Sequence, residues 1–379
     1  MKDEINCDAL VIGGGIVGLS IARNLQLNSI ETILVEKNSV IGEEVSSRNS
    51  GVVHSGIYYK QGSLKASLCL RGNKLLHEYA ALKNISLLKT GKLIIGENNE
   101  KGKIRELFNN GIKNSVQGLK IVEKDEIMEL EPKLSKKISH GILSSTSDII
   151  DVPSLIFNIT NDFEITGGII SRQTIFLNAK RKKKSFISLL RTGDDEFLVK
   201  SKILIVACGL HSYDAGLKID DIKDNKQLKS LNLSKGHYFF INKSPFKHLI
   251  YPLPNDYGLG IHFTPELNGR GKFGPDHIFI DELDYKFEEG IKNTFVRAIS
   301  NYWDDIAPEI LHEDYVGIRP KIQKRGQSAI DFSILTQNEH GIKNLFFLQG
   351  IESPGLTSAL AIGEFIHDHL DREAKIFLM

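Results

Sequence analysis

The stretch Asp8–Lys37, DALVIGGGIVGLSIARNLQLNSIETILVEK, decides the fold of this chain. Its apolar run Ala9–Ile12 is typical of a buried parallel strand, and glycines follow at positions 13, 15 and 18 in G-x-G-x-x-G spacing. The first glycine allows a tight turn, the second lets a pyrophosphate approach the backbone, and the third lets a helix pack closely on the strand. A helix predicted over about residues 16–27 points its N-terminal amides at the phosphates.

A second apolar strand, Thr32–Val35, ends at Glu36, whose carboxylate can accept hydrogen bonds from both ribose hydroxyls and disfavours a 2′-phosphate. A glycine triplet alone is weak evidence, because many loops match it by chance. Here the strand, the helix and the acid occur together, which favours a dinucleotide site over a plain glycine-rich turn. The pattern leaves open whether the dinucleotide is NAD or FAD.

The composition excludes several classes of protein. The chain has 379 residues, 41% of them hydrophobic, which is enough for two domains with substantial cores. A formal charge of +1 favours no nucleic-acid partner and gives membrane-surface association no support. Cys7, Cys69 and Cys208 are far apart, so we expect neither disulfides nor a metal site. With too few residues before the first strand for a signal peptide, we expect a cytoplasmic protein.

The remaining segments predict a cofactor loop and further elements. Residues 40–62 are dense in Gly, Ser, Tyr and His, which favours a loop passing the cofactor over a plain turn. Asp151 followed by Pro153 predicts a helix start. Residues 167–209 predict a three-stranded meander and then a separate buried strand, Ile203–Cys208. The basic run Lys180–Lys184 lies where a hairpin must turn, so a solvated turn is favoured over a nucleic-acid or lipid patch.

These elements predict an α/β fold (α+β overall) with two interleaved domains. Residues 1–81, 142–213 and 339–379 form a discontinuous Rossmann-type domain that combines a parallel sheet with the three-stranded meander. Residues 82–141 and 214–338 form a substrate domain built on an antiparallel sheet, in which segments such as HYFFI, LIYPLP and LGIHFT alternate and a helix spans about residues 287–302.

Several long motifs resemble one family. SSRNSGVVHSGIYYKQGSLKASLCLRGNKLL, LIYPLP, GIRPKI and the closing GIESPGLTSALAIGE are similar to L-2-hydroxyglutarate dehydrogenases and oxidases, within the FAD-dependent D-amino-acid-oxidase-like superfamily. The likeness spans nearly the whole chain. One departure bears on the substrate: Lys235–Phe240 reads KGHYFF, where typical members carry an Arg-Gly-Glu-Tyr-Tyr-like sequence.

The resemblance implies noncovalent FAD held by separate segments of the chain. The glycine motif would face the pyrophosphate, Glu36 the adenosine ribose, and the last loop, with the helix after it, the flavin pyrimidine oxygens. The residues expected to bind the cofactor are Gly13, Gly15, Ile16, Val17, Gly18, Glu36, Lys37, Ser46, Ser47, Asn49, Ser50, Gly51, Phe176, Ala207, Gly209, Gly350, Ser353, Pro354, Gly355, Leu356 and Thr357.

Oxidation of a 2-hydroxy acid requires a cation for the carboxylate, a base for the hydroxyl proton, and a Cα–H directed at flavin N5. Arg319 is the candidate clamp rather than a surface arginine, because guanidinium binds carboxylate through two parallel hydrogen bonds. Lys321 lies on the same side of its strand and could meet a second carboxylate. His54 and His262 compete for the role of base. Tyr58, Tyr59 and Tyr251 are candidate pocket walls.

The leading hypothesis is a flavoenzyme that oxidises a small 2-hydroxy acid, most simply L-2-hydroxyglutarate to 2-oxoglutarate, and passes electrons to oxygen or a quinone. An alternative with the same fold is an amine or amino-acid oxidase of the glycine or sarcosine oxidase type. A non-catalytic flavin-binding protein is a third. The pocket separates the first two, since a dicarboxylate needs two cationic groups and an amino acid only one.

Overall fold

The computed structural model describes residues 4–254, 260–328 and 330–376, with side chains as far as residue 370. The first residue of the predicted strand segment LGIHFT therefore lies outside the described residues. The strands, in chain order, are β1 (Glu4–Ile12), β2 (Thr32–Val35), β3 (Val52–Val53), β4 (Leu87–Leu88), β5 (Lys92–Glu97), β6 (Leu119–Glu123), β7 (Ile138–Ser144), β8 (Asp148–Ile150), β9 (Ile169–Ser171), β10 (Thr174–Lys182), β11 (Ser185–Thr192), β12 (Asp195–Val206), β13 (Asn232–Ile241), β14 (Leu249–Pro252), β15 (Phe263–Pro265), β16 (Gly271–Phe273), β17 (Ile278–Ile280), β18 (His312–Lys321), β19 (Ser333–Leu335) and β20 (Leu345–Gln349).

The α-helices alternate with these strands. They are α1 (Ile16–Leu27), α2 (Leu64–Lys83), α3 (Lys101–Lys113), α4 (Lys124–Leu130), α5 (Val152–Ile165), α6 (Ser212–Leu217), α7 (Ile291–Ile299), α8 (Gln337–His340) and α9 (Gly355–Ile376). None of them, over the described residues, is long and apolar enough to cross a membrane.

The first sheet has the order β10-β11-β12-β1-β2-β9, with β20 on β12 and β19 on β20. Its centre is parallel, and β1 pairs with both β2 and β12. Because side chains alternate along a strand, Ala9 and Val11 join the core under α1, α5 and α9, whereas Leu10 and Ile12 join a second core on the opposite face. Burial on both faces explains why the end of β1, Ala9–Ile12, is a continuous apolar run.

Most of the predictions for this sheet are confirmed. Helix α1 and strand β2 have the expected bounds, and Asp151 caps α5 by accepting a hydrogen bond from the amide of Ser154 at 3.1 Å. Lys180–Lys184 indeed spans the β10–β11 hairpin turn. The buried parallel strand predicted at Ile203–Cys208 is confirmed as far as Val206, but the prediction that it is separate from the meander was wrong. β12 is one continuous strand that pairs with the meander at its start and with β1 along its length.

The second sheet has the order β17-β13-β16-β15-β14-β5-β7-β6, with β18 also on β13. It is antiparallel as predicted, except that β5 and β14 run parallel. This pair joins the two segments of the predicted substrate domain in one sheet. The predicted helix near residues 287–302 is shorter, because Gly290 adopts a left-handed conformation (φ +75°) and α7 begins only after it.

The domain division stays a prediction, and sheet membership differs from it at two places. Strand β7 continues to Ser144 within the second sheet, beyond the expected boundary at residue 142. Strand β19 pairs with β20 in the first sheet, although residues up to 338 were expected in the substrate domain.

Helices α2 and α9 cross with their backbones in close contact at Gly72. A Cβ atom at this position would lie 2.0 Å from the carbonyl oxygen of Thr357, in the first turn of α9. The crossing brings α2 beside the loop between β20 and α9, which carries several of the predicted cofactor contacts.

Candidate active site

One cavity of about 2160 Å³ lies between the two sheets. Typical small-molecule sites occupy about 300–1,000 Å³, so this cavity has room for a dinucleotide together with a small substrate. The candidate catalytic and substrate-binding residues all line it, and these are His54, Tyr58, Tyr59, Tyr251, His262, Arg319 and Lys321.

The glycine motif forms one end of the cavity through close backbone contacts. Gly13 has φ +107°, and a Cβ there would lie 2.5 Å from the carbonyl oxygen of Ala207, the residue that follows β12. A Cβ at Gly18 would lie 2.0 Å from the carbonyl oxygen of Gly13. Only glycine fits at either position, and the N-terminus of α1 consequently faces the cavity.

Two polar side chains hold this end in shape. The buried carboxylate of Glu36 accepts hydrogen bonds from the amides of Gly14 at 2.7 Å and Asn38 at 2.9 Å. The Ser46 hydroxyl accepts one from the Ile16 amide at 2.9 Å, which leaves its own hydrogen free to donate. Both side chains line the cavity, so each is fixed in place beside the glycine turn.

The structure brings most of the expected cofactor residues to the cavity surface. Those that line it are Gly13, Gly15, Ile16, Val17, Glu36, Lys37, Ser46, Asn49, Ser50, Gly51, Phe176, Ala207, Gly209, Gly350, Ser353, Pro354, Gly355 and Leu356.

Gly18, Ser47 and Thr357 do not line the cavity, contrary to prediction. Gly18 lies behind the turn of Gly13, and the Ser47 hydroxyl turns back to donate to the carbonyl of Glu44. Thr357 is buried: its hydroxyl accepts a hydrogen bond from the His54 amide and donates to the Val52 carbonyl. Thr357 thus supports the loop that carries His54.

At the other end of the cavity, backbone carbonyl groups orient Arg319. Its Nη2 donates to the carbonyl of Asp276 at 2.6 Å and to that of Lys235 at 3.3 Å, and its Nε lies 3.5 Å from the carbonyl of Ser234. No carboxylate of the described residues forms an ion pair with it. The guanidinium is therefore held in place while its charge remains available to an anion.

The KGHYFF departure lies directly behind this arginine. The buried His237 donates its amide to the Asp276 carboxylate at 2.6 Å, and its Nδ1 lies 3.0 Å from the same oxygen. The buried Lys235 pairs with Asp284 at 2.7 Å and Glu288 at 3.2 Å. His237 therefore anchors the residue whose carbonyl at Asp276 holds Arg319, and Lys235 anchors the segment that carries Asp284 and Glu288. Neither side chain lines the cavity, although Gly236 and Tyr238 of the same stretch do.

His54 lies between Lys92, behind it, and Ser353 of the last loop. Its Nδ1 is 3.3 Å from Lys92 Nζ, and its Nε2 is 3.3 Å from Ser353 Oγ. Burial, together with the charge of Lys92, lowers the pKa of His54 well below its usual value, so the ring is neutral near pH 7. Lys92 is buried in β5 and its ammonium lies 4.1 Å from the ring centroid of Tyr251.

His262 stacks on Tyr251 with ring centroids 3.9 Å apart. Its Nδ1 lies 3.3 Å from the Gly260 carbonyl, which assigns the proton to Nδ1. Burial lowers its pKa to about 3. Its Nε2 and the Tyr58 hydroxyl are buried without a hydrogen-bond partner in the described part of the chain. Both residues line the cavity, so a buried acceptor and a buried donor remain unsatisfied in its wall.

Glu352 adds charge that the sequence did not reveal. It forms ion pairs with Lys321 at 2.7 Å and Lys65 at 3.3 Å. Although burial opposes it, the two ammonium groups lower the pKa of Glu352. Lys321 therefore lines the cavity with part of its charge already balanced. Two lysines and one glutamate leave this cluster with a formal charge of +1.

The family assignment follows from comparison with known proteins. A family model described as "DAO: FAD dependent oxidoreductase" matches residues 8–368. The chain belongs to this family. As an FAD-dependent oxidoreductase it binds FAD, and the cavity fits that cofactor because the glycine turn, the Glu36 carboxylate and the N-termini of α1 and α9 all border it.

Similar proteins within this FAD-dependent family carry two kinds of names. The chain is 34% identical to L-2-hydroxyglutarate dehydrogenase, mitochondrial, of Arabidopsis thaliana, over 95% of this chain and 82% of that protein. It is 28% identical to L-2-hydroxyglutarate dehydrogenase of Indibacter alkaliphilus, over 93% and 96%. It is also 26% identical to glycerol 3-phosphate dehydrogenase of Caloramator mitchellensis, over 97% and 74%.

Solved structures share the fold. L-alpha-glycerophosphate oxidase from Mycoplasma pneumoniae with FAD bound superimposes with a TM-score of 0.83 at 22% identity, covering 95% of this chain and 93% of that one. Glycine oxidase from Geobacillus kaustophilus gives 0.79 at 16% identity, covering 97% and 95%.

Among the residues that sequence reasoning missed are Asp276, His277 and Glu352, which line the cavity, and Lys92, which lies behind His54. Lys92 reads as a polar residue at the edge of an apolar strand, and only the tertiary fold buries it. His277 lines the cavity, where burial and the charges of Arg319 and Lys321 lower its pKa to about 4. Glu352 had a signal, since it lies one residue before the predicted flavin loop.

Proposed function

We propose that this FAD-dependent enzyme oxidises a small 2-hydroxy acid, most simply L-2-hydroxyglutarate to 2-oxoglutarate. The observation that carries the proposal is Arg319, an oriented guanidinium without a carboxylate partner among the described residues, which faces the same cavity as two neutral histidines. Two of the relatives above are named for this substrate, which supports the choice.

Arg319 is proposed to bind the carboxylate next to the reacting carbon. Because Nε and Nη2 face carbonyl groups, the N–H groups of Nη1 are proposed to donate to that carboxylate. The cluster of Lys65, Lys321 and Glu352, with its formal charge of +1, is proposed to meet the distal carboxylate. An amino acid or amine would gain nothing from this second positive region, so the pair of cationic sites favours a dianion.

His54 is proposed as the base, with His262 as a hydrogen-bond acceptor for the substrate. If Nε2 of His262 were protonated, its Nδ1–H would still face a carbonyl, which cannot take up the displaced proton. A buried imidazolium without a counter-charge would result, in keeping with its pKa of about 3. Nδ1 of His54 instead lies 3.3 Å from Nζ of Lys92, and an amine, unlike a carbonyl, can take up the displaced proton.

The bound FAD supplies the acceptor for the hydride that leaves the substrate Cα. The chain's contribution is to fix the substrate: Arg319 sets its carboxylate, His54 removes the hydroxyl proton, and the unsatisfied Tyr58 hydroxyl donates a hydrogen bond. Electrons are proposed to pass on to oxygen or a quinone, and the protein is proposed to be cytoplasmic.

The test is an anaerobic stopped-flow screen of flavin absorbance. We expect L-2-hydroxyglutarate to bleach the flavin faster than D-2-hydroxyglutarate, L-lactate, glycerol 3-phosphate, glycine or sarcosine. Reduction by glycerol 3-phosphate alone would reassign the two cationic regions to a phosphate. Reduction by glycine or sarcosine alone would replace the hydroxy-acid proposal with an amine oxidase.

A further inference from the structure

Lys92 is a buried lysine whose charge no carboxylate balances in the described part of the chain. Only 1% of its surface is exposed, whereas the equally buried Lys235 has two carboxylate partners. An unpaired ammonium in such a place is costly, because burial removes its hydration. Burial accordingly lowers the pKa of Lys92 to about 7, so the side chain can exist as a neutral amine at physiological pH.

The groups around Lys92 come from several elements, and they are neutral or cationic. His54 approaches at 3.3 Å from the loop after β3, and the Tyr251 ring of β14 lies 4.1 Å away. The Tyr58 ring centroid lies 5.5 Å from Lys92 Nζ. Cys69 of α2 interacts electrostatically with Lys92, and the charge of Lys92 contributes to the lowered pKa of His262, which precedes β15. Burial keeps the Tyr58 hydroxyl and the Cys69 thiol protonated by raising the pKa of each. His54 is consequently the group with which Lys92 can exchange a proton.

The pair of Lys92 and His54 has two arrangements. When Lys92 is an ammonium it can only donate, so Nδ1 of His54 is the acceptor and Nε2 carries the ring proton. That tautomer offers Ser353 and the cavity a donor and cannot act as a base. When Lys92 is an amine, it can accept from Nδ1–H, and the lone pair of Nε2 then faces the cavity.

We propose that Lys92 is the final acceptor of the proton that His54 removes from the substrate hydroxyl. The inference rests on the proposed function. The hydroxyl O–H bond breaks as an Nε2–H bond forms, and the Nδ1–H bond breaks as an Nζ–H bond forms. The substrate Cα–H electron pair leaves as hydride to the FAD, and the carbonyl forms. His54 ends neutral in the other tautomer, and Lys92 ends as an ammonium over the Tyr251 ring.

The first test is the pH dependence of the rate of flavin reduction. In the wild-type holoenzyme we expect the rate to rise with one ionisation near pH 7 and then to level off, because only the amine form of Lys92 is competent. Lys92→Arg retains a cation that cannot be deprotonated, so the rise should vanish and the rate at pH 8.5 should fall by about 100-fold or more.

Two further variants serve as controls for this kinetic test. Lys92→Met should also abolish the rise near pH 7, and its flavin content shows whether it has folded. Lys120→Met, at an exposed lysine of β6 in the same sheet, should leave the pH profile unchanged. A rise near pH 7 that survives in Lys92→Arg would assign it to another group and overturn the proposal.

The second test needs no substrate. ¹⁵N NMR of histidine-labelled holoenzyme, with the His54 signals identified by their loss in His54→Gln, should show the proton on Nε2 at pH 6 and on Nδ1 at pH 8.5. In Lys92→Arg it should stay on Nε2 at both. The same tautomer at both pH values in the wild type would overturn the relay. Because this result does not depend on which compound reduces the flavin, failure of the relay and failure of the proposed function remain distinguishable.

Discussion

The two ends of the cavity are built in different ways. At the end bordered by α1, backbone geometry does most of the work: two glycines admit no Cβ, and Glu36 holds backbone amides 2 and 22 positions away in sequence. At the other end side chains dominate, and Arg319 is held by carbonyl groups 43 to 85 positions away. A defect at the first end should therefore lower the FAD content of the protein, whereas a defect at the second end should lower the rate of substrate turnover.

The largest effect should come from Gly18→Val. Its Cβ would lie 2.0 Å from the Gly13 carbonyl, and the backbone of the turn would have to move. Steric insertions of this kind cost several kcal/mol, so the purified protein should contain almost no flavin by absorbance. In the control Gly102→Ala, on α3 with open space around the new Cβ, flavin content should be unchanged. Full occupancy in Gly18→Val would break the contrast between the two ends.

Arg319→Met should lower substrate turnover and leave the cofactor bound. Removing the cation leaves the substrate carboxylate unpaired, at about 3–4 kcal/mol, so kcat/KM should fall by roughly 100- to 1,000-fold while flavin content stays normal. Arg325→Met, at an exposed arginine paired with Asp281, is the matched control and should match wild type. Unchanged kinetics in Arg319→Met would remove this residue from the site.

Asp276→Asn should have a moderate effect confined to the substrate end. The amide binds His237 less well, so the carbonyl that holds Arg319 is less firmly placed. A loss of about 1 kcal/mol would raise KM roughly fivefold with kcat nearly unchanged. Asp281→Asn, at a side chain that is 94% exposed, should leave KM unaltered. A fall in kcat without a change in KM would contradict a role in positioning Arg319.

The smallest effect should come from Ser46→Ala. The change removes one hydrogen bond to the Ile16 amide, worth about 1 kcal/mol, and weakens flavin binding by roughly fivefold. The neighbouring Ser47→Ala, whose hydroxyl only turns back to Glu44, should bind flavin as tightly as wild type in an ultrafiltration assay. Equal affinities in the two variants would show that the Ser46 cap is dispensable.

The same contrast explains what the sequence could predict. The end with α1 is encoded locally, since strand, turn, helix and acid all fall within Asp8–Lys37, so their spacing alone gives their geometry. Arg319 and the histidines were found through a long resemblance and not through spacing. Lys92 was missed because its sequence neighbours resemble those of any strand start, and only residues from other elements, His54 and Tyr251 among them, bury it.

The wrongly predicted break within β12 has a similar cause. Its last residues are apolar enough to read as a separate buried strand, and nothing in their composition shows that the meander strand continues into them. They belong to one strand because β12 pairs in continuous register with β11 and then with β1, and such register depends on residues far apart in the sequence.

The crossing at Gly72 has a consequence for how this protein can vary. No ligand-facing group resides there, yet any side chain would displace Thr357, whose hydroxyl supports the His54 amide and whose helix begins at the cavity. In a library of random variants, substitutions at position 72 should therefore lower activity as strongly as substitutions that remove active-site residues. Genetic drift at this position is restricted by the shape of two helices, although the position has no chemistry of its own.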